Sequence, residues 1–260
     1  MTTQSIKEEN GFRYVEAGEG HTLLFLHGLF GSLSNWSDIT ETFSPKYKVL
    51  VPLLPIYDLN YKDADLEGLT AFVESFVKFK NLKEFSLVGN SLGGHIALIY
   101  TLKNTSKVSN LVLTGSSGLF ENGMGGSYPK RGDLEFVRER VGYTFYDPKI
   151  ATDDLVHEVF EITKNNAQCL RMIKIARSAQ RHNMSEVIPN IKIPVLLIWG
   201  LNDTITPPIV AHEFNRLLPN SELHFIDKCG HAPMMEHPHI FNKYFSRFLE
   251  KHENKVGITL

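Results

Sequence analysis

Gly89-Asn90-Ser91-Leu92-Gly93 is the stretch that decides the fold. It follows the largely apolar run Glu84–Val88 and precedes the helix-like stretch His95–Lys103. A serine held at positive φ on a sharp turn needs neighbours without a bulky side chain, and glycines flank Ser91 on both sides. The pattern predicts a strand, a tight turn and a helix that together expose the Ser91 hydroxyl to a substrate. An ordinary helix N-cap is the alternative role for this serine.

A serine hydroxyl needs a base and an orienting acid before it becomes a nucleophile. The apolar run Ile193–Gly200 predicts a buried parallel strand, and Asp203 follows its end. A further strand, Glu222–Ile226, is followed by a loop that carries His231. The chain order Ser91, Asp203, His231 predicts a catalytic triad with Asp203 as the acid and His231 as the base.

Two other positions for the acid are less favoured. Asp227 lies at the end of the same strand that precedes His231, where a turn or cap role fits it better. The strand after the nucleophile helix, Val108–Thr114, runs into Gly115-Ser116-Ser117-Gly118, which contains no carboxylate. Asp203 is therefore the predicted acid.

With these motifs, the sequence resembles the α/β-hydrolase fold superfamily, in its branch with a helical cap, over roughly residues 12–249. Esterases and carbon–carbon bond hydrolases are the groups that it resembles most. A further motif is the apolar strand that ends in His27-Gly28. The resemblance implies that the backbone N–H groups of Leu29 and Leu92 form an oxyanion hole. His27 itself is expected to form hydrogen bonds within its loop rather than act in catalysis.

Strands that alternate with helices predict an α/β fold with a mostly parallel, doubly wound sheet of about eight strands. From Leu119 to Pro189 the pattern changes to helical periodicity without a buried strand. We therefore expect a core domain of residues 1–118 and 191–260 and an inserted helical cap of residues 119–190. The aromatic and Met side chains expected to line a substrate pocket under the cap are Phe30, Phe120, Met124, Phe136 and Phe145.

The sequence favours a serine esterase that cleaves a small carboxylic ester through an acyl-enzyme. A carbon–carbon bond hydrolase of 2-hydroxy-6-oxo dienoate substrates is the alternative, and an acyltransferase or a small-molecule receptor on the same fold stays open. Carbon–carbon bond hydrolases usually carry a cap arginine for the acid group of the substrate. Only Arg171, Arg177 or Arg181 could serve as that arginine here.

Composition excludes several other classes of protein. The chain has 260 residues, 42% of them hydrophobic, and a net charge of −2, so no nucleic-acid or anionic membrane partner is expected. Its two cysteines, its polar N-terminus and the lack of a long apolar stretch favour a cytoplasmic protein. We expect a small-molecule substrate, a monomer or homodimer, no metal site and no cofactor.

Overall fold

Eight strands form one sheet in the structure, which is a computed structural model that describes residues 6–31, 33–122, 130 and 132–253. The strands are β1 (Ile6–Glu9), β2 (Phe12–Ala17), β3 (Thr22–Leu26), β4 (Lys48–Pro52), β5 (Phe85–Asn90), β6 (Val108–Thr114), β7 (Val195–Gly200) and β8 (Ser221–Ile226).

The strand order is β1-β2-β4-β3-β5-β6-β7-β8. Strand β2 is antiparallel to both of its neighbours, and the pairs from β4 to β8 are all parallel. The expected mostly parallel sheet of about eight strands is confirmed. The sequence analysis began the sheet at Phe12 and missed β1, because four mostly exposed residues carry no hydrophobic pattern. Asn10 and Gly11, both at positive φ, turn β1 back onto β2.

Nine α-helices occur among the described residues. They are α1 (Ser37–Phe43), α2 (Leu66–Phe79), α3 (Leu92–Lys103), α4 (Leu134–Gly142), α5 (Asp153–Lys164), α6 (Asn166–Arg181), α7 (Pro208–Leu217), α8 (Pro233–Glu236) and α9 (Pro238–Glu253). Helix α2 is an example of how these helices begin and pack. Asp65 caps its first turn by accepting from Gly68 N, and one side of the helix is buried.

Each face of the sheet carries its own buried cluster. Helices α2, α3 and α7 cover one face, where Phe76, Ile96 and Phe214 are fully buried. Helices α1 and α9 cover the other, with Ile39 and Phe245 among its buried side chains. Strands β3, β5 and β7 are buried on both faces, as expected for the centre of a parallel sheet.

The chain between β6 and β7 contains helices α4, α5 and α6 and no strand among its described residues. We call residues 119–190 the insertion. Buried side chains of α4 and α5, such as Val137 and Val156, join the cluster on the α9 face. Ile175 and Ala179 of α6 join the cluster on the α3 face. The insertion therefore contributes to the buried clusters on both faces of the sheet. No described helix is both long and apolar enough to cross a membrane.

Candidate active site

Ser91 lies on a strained turn between β5 and α3. Its backbone has φ 54° and ψ −119°, and its hydroxyl does not cap α3, so the N-cap alternative does not hold. A Cβ on Gly89 would lie 2.5 Å from the carbonyl oxygen of Gly93, and one on Gly93 would collide with the carbonyl of Leu26. Only glycine at both positions lets β5, α3 and β3 approach this closely. Backbone packing therefore holds Ser91 in a conformation that few non-glycine residues adopt.

Asp203 follows β7, and its carboxylate is almost completely buried. Oδ1 accepts hydrogen bonds from the backbone N–H groups of Ile205 and Thr206, both at 2.9 Å. Oδ2 accepts from the Thr206 hydroxyl at 2.8 Å and lies 2.9 Å from Nδ1 of His231. These donors fix the carboxylate and compensate for its burial.

His231 lies in the loop after β8 and is buried against Asp203. When Nδ1 donates to Asp203, Nε2 is left without the proton and can act as a base. Burial lowers the pKa of His231, but the charge of Asp203 and its hydrogen bond outweigh burial, and the pKa is raised above 6.5. The backbone N–H of His231 also donates to the carbonyl of Thr144 in the insertion, at 2.9 Å.

Two peptide units beside Ser91 have fixed orientations. The Gly28 carbonyl accepts from Gly31 N at 3.0 Å and lies 2.9 Å from Nδ1 of His27, so the Leu29 N–H of the same trans peptide points the opposite way. The Ser91 carbonyl accepts from His95 N and Ser117 N, both at 3.1 Å, which orients the Leu92 N–H in the same manner.

His27 organises the first of these two peptide units. Its Nε2 accepts from Leu54 N at 2.9 Å, which leaves Nδ1 with the proton to donate to Gly28. Burial lowers the pKa of His27 to about 4, so the ring is neutral near pH 7. The structure thus shows the loop hydrogen bonds that the sequence predicted for this histidine.

A small cavity between the core and the insertion contains both Ser91 and His231. Its volume is about 70 Å³, well below the roughly 300–1,000 Å³ of most ligand pockets. None of the described residues that line it is an Asp, Glu, Lys or Arg. The lining residues are Gly28, Leu29, Phe30, Gly31, Asn35, Asn90, Ser91, Val141, Thr144, Phe145, Leu155, Val159, His231, Ala232 and Met235.

A sequence model of the alpha/beta hydrolase family matches residues 23–243. The chain belongs to the alpha/beta hydrolase family. It is a hydrolase by family and by the names of its relatives. The suspected superfamily is therefore confirmed.

The alignments with similar proteins span almost the whole length of this hydrolase. The 2-hydroxy-6-oxononadienedioate/2-hydroxy-6-oxononatrienedioate hydrolase of Comamonas testosteroni is 25% identical, and the match covers 90% of this chain and 89% of that protein. The 2-hydroxy-6-oxo-6-phenylhexa-2,4-dienoate hydrolase of Burkholderia cepacia is 26% identical with the same coverage. A solved alpha/beta hydrolase from the sediment metagenome of the Mar Chica lagoon, Morocco, is 38% identical with a TM-score of 0.79, covering 96% of this chain and 99% of that one.

The residues proposed for the pocket of this hydrolase do not all lie together. Phe30 and Phe145 line the cavity. Phe120 is instead 58% exposed, in a surface groove with His212 and Arg216. Phe136 is not among the lining residues and packs against the Arg140 guanidinium, 5.2 Å from its ring centroid. Met124 lies outside the described residues.

The three candidate arginines lie away from the cavity. Arg171 donates from Nε to the Leu59 carbonyl at 2.6 Å, while Arg177 and Arg181 border a surface groove beside His182.

No cluster of three or more His, Cys, Asp or Glu side chains that could hold a metal ion occurs in the part of the chain that the structure describes.

Glu236 is a site residue that the sequence analysis missed. Its carboxylate accepts from Gly230 N and from Tyr146 N, both at 2.7 Å, so it joins the His231 loop to the insertion. Burial raises the pKa of Glu236, although these N–H donors act in the opposite direction. The only sequence signal is an acidic residue five positions after His231, and no helical or strand periodicity marks that position.

Proposed function

We propose that this protein is a serine hydrolase that cleaves a small, uncharged carboxylic ester. Ser91 is the nucleophile, His231 the general base and acid, and Asp203 the group that orients the imidazole. The observation that carries the proposal is the small cavity, which contains both Ser91 and His231. Among its described lining residues, only His231 can carry a charge. A charged substrate would lose its hydration there without gaining an Asp, Glu, Lys or Arg counter-ion.

In the acylation step, Nε2 of His231 takes the Ser91 proton while Oγ attacks the ester carbonyl carbon. The carbonyl electron pair moves to its oxygen, where the N–H groups of Leu29 and Leu92 stabilise the negative charge. Removing one such donor typically costs on the order of 10²–10³ in rate. When the intermediate collapses, the bond to the leaving oxygen breaks and His231 gives that oxygen the proton, which releases the alcohol.

In the deacylation step, His231 takes a proton from water as the water oxygen attacks the acyl carbon. The bond to Ser91 Oγ then breaks, and His231 returns the proton to the serine. Asp203 stays ionised throughout and stabilises the imidazolium that forms in both steps. Its buried carboxylate, held by Ile205 and Thr206, is already oriented for this role.

We further propose that residues 119–190 act as a cap over a core of residues 1–118 and 191–260. Val141, Phe145 and Val159 of the insertion line the same cavity as Ser91, and this apolar wall supports the role. A wall of this kind excludes bulk water from the reacting groups and strengthens their electrostatic interactions.

The second candidate is hydrolysis of a carbon–carbon bond in a 2-hydroxy-6-oxo dienoate, the activity named for the relatives from Comamonas testosteroni and Burkholderia cepacia. Such a substrate carries a carboxylate, which requires a cation or several N–H donors when it is buried. The described cavity lining offers no Lys or Arg. We therefore rank the ester first.

The test compares wild-type protein with Ser91→Ala and with Ser221→Ala, a control at the start of β8. Each protein is incubated with a fluorophosphonate probe and with p-nitrophenyl esters from acetate to octanoate. We expect wild type and Ser221→Ala to be labelled and to hydrolyse the short esters best. Ser91→Ala should lose labelling and at least about 10⁴-fold in kcat.

Two results would redirect the assignment. Labelling of Ser91 without ester turnover, together with cleavage of a 2-hydroxy-6-oxo dienoate, would favour the carbon–carbon bond hydrolase. Labelling with acyl transfer to an added alcohol in preference to water would make the protein an acyltransferase. If Ser91 is not labelled at all, it is not the nucleophile.

A further inference from the structure

The chain from Gly115 to Asn122, which we call the β6 loop, contacts the loops of both the proposed base and the proposed acid. At its start, Gly115 has φ 51°, and a Cβ there would lie 2.9 Å from Nδ1 of His231. At its end, Asn122 donates from its backbone N–H to the Ile205 carbonyl at 2.7 Å and from Nδ2 to the Thr204 carbonyl at 2.9 Å. The β6 loop therefore packs against the base at one end and is bonded to the acid loop at the other.

Glu121 is the only charged residue in the β6 loop. The sequence analysis found no carboxylate at residues 115–118, but this one lies three residues further along. Its carboxylate accepts from the Ser117 hydroxyl at 2.6 Å, a length typical of a hydroxyl that donates to an ionised carboxylate. Ser117 is almost completely buried, and its backbone N–H donates to the Ser91 carbonyl at 3.1 Å. Glu121 is thus connected through one residue to the turn that carries Ser91.

That connection reaches the peptide unit between Ser91 and Leu92. Ser117 N and His95 N both donate to the Ser91 carbonyl, and the opposite end of the same planar peptide is the Leu92 N–H. A side chain that fixes Ser117 therefore helps to fix the direction of a proposed oxyanion donor. Because the next residue after Glu121 is bonded to the acid loop, this carboxylate lies where the nucleophile turn and the acid loop are joined.

Three carboxylates act on the imidazole of His231. Burial lowers the pKa of His231, but Asp203, Glu121 and Glu236 all raise it. Burial raises the pKa of Glu121, while its hydroxyl donor and the charge of His231 act in the opposite direction, so the attraction is mutual. The Cys229 thiol of the same loop adds no charge near pH 7, because burial raises its pKa.

We propose that Glu121 is a positioning residue, which secures the Ser91 turn through Ser117 and adds a second negative charge, after that of Asp203, for the imidazolium of His231. This inference rests on the proposed mechanism. The imidazolium forms in both steps, and a nearby carboxylate stabilises it without itself taking the proton. Glu121 is not among the described residues that line the cavity, so it acts through these side chains and not on the substrate.

The experiment compares wild type with Glu121→Gln, Glu121→Asp and Glu186→Gln. Glutamine keeps an oxygen that can accept from Ser117 but removes the charge, whereas aspartate keeps the charge on a shorter side chain. Glu186→Gln is the matched control, because it removes a similar charge from an exposed position of the insertion. The first measurement is kcat/KM for p-nitrophenyl acetate from pH 5 to 9. The second is the NMR titration of His231, whose signal is identified by its loss in His231→Ala.

We expect Glu121→Gln to move the acidic limb of kcat/KM and the His231 titration to lower pH by about half a pH unit, the scale of a partly screened charge pair. The direction follows because the loss of a negative charge favours the neutral imidazole. Half a pH unit is about a threefold loss of imidazolium stabilisation, so kcat above the limb should fall about threefold with KM little changed. Glu121→Asp should lie closer to wild type, and Glu186→Gln should match it.

Other outcomes overturn the role of Glu121. An unshifted His231 titration in Glu121→Gln, even with a lower melting temperature, would leave this residue a structural role alone. The same shift in Glu186→Gln would show an effect of net charge and not of position. The NMR readout needs no turnover, so it separates this inference from the proposed function. If wild type hydrolyses no ester but Glu121→Gln still shifts the titration, ester hydrolysis fails while the pairing of Glu121 with His231 stands.

Discussion

The core and the insertion contribute to the cavity in different ways. Core residues at the site are positioned by backbone: Ser91, Asp203 and His231 each follow a parallel strand at the same edge of the sheet. The insertion supplies apolar side chains such as Val141 and Phe145, which belong to the buried cluster on the α9 face. Under the proposed function, the core would carry out the reaction and the insertion would select the molecule that reaches it.

The two regions are joined at several points, and some of these lie away from the cavity, such as the bonds from Arg171 and Lys174 of α6 to the Leu59 and Tyr61 carbonyls. Others lie close to Ser91 and His231. Glu236 and the His231 backbone hold the segment at Thr144–Tyr146. At the other end of the insertion, Met184 N donates to the Gly118 carbonyl at 2.8 Å, and Nε2 of His95 lies 2.9 Å from Nδ1 of His182. Variants at these joints and in the proposed triad can therefore test whether the reaction and the access of substrate are separate properties.

Asp203→Asn should have the largest effect, because it changes the proposed acid in the core and leaves the insertion unaltered. The amide cannot stabilise the imidazolium or hold its tautomer, and we expect kcat to fall by about 10⁴. Asp203 raises the pKa of His231, whose neutral form is the base, so the wild-type rate should rise with pH through a pKa above 6.5. The residual activity of Asp203→Asn should rise at lower pH, since burial then lowers that pKa with only the charges of Glu121 and Glu236 opposing it. The measurement is kcat/KM from pH 5 to 9.

Asp227→Asn is the matched control for that profile. This residue is the other aspartate near His231 in sequence, and we expect its substitution to leave both the rate and the pH profile within about twofold of wild type. A loss in Asp227→Asn comparable to that in Asp203→Asn would contradict the assignment of the acid.

The core part of the site could be predicted from the sequence for a physical reason. Apolar runs mark buried parallel strands, and the residues that follow them must meet at one edge of the sheet, so Asp203 and His231 could be placed without knowing any side-chain packing. The cavity wall could not be predicted in this way. Phe120 and Phe145 look alike in sequence, but only tertiary packing leaves the first exposed and buries the second.

Glu236→Gln should have an intermediate effect, because it weakens a joint between the two regions. One amide oxygen cannot replace two carboxylate oxygens, so the bond from Gly230 N or the bond from Tyr146 N is weakened. We expect His231 to be less well positioned and kcat to fall about tenfold. The change in KM should be smaller than the change in kcat.

Glu139→Gln, on the exposed side of α4, removes a similar charge without touching this joint and should behave as wild type. A fall in Glu236→Gln that appears only in the melting temperature, with kcat unchanged, would show that the joint serves stability alone.

His182→Ala should have the smallest effect on activity, because it alters a joint that lies outside the cavity lining. His95 is completely buried with its Nδ1 unpartnered, and burial and the neighbouring His182 lower its pKa to about 3, so it is neutral near pH 7. Losing His182 leaves its second nitrogen unpartnered as well, at a cost of about 1–3 kcal/mol in the free energy of unfolding. Urea denaturation should show a lower midpoint with an unchanged slope, while kcat/KM for short esters stays within about twofold.

His157→Ala, exposed on α5, is the control and should change neither quantity. If His182→Ala instead lowered kcat as strongly as Glu236→Gln, the two joints would be coupled, and the division between a core that reacts and an insertion that selects would fail at this end of the insertion.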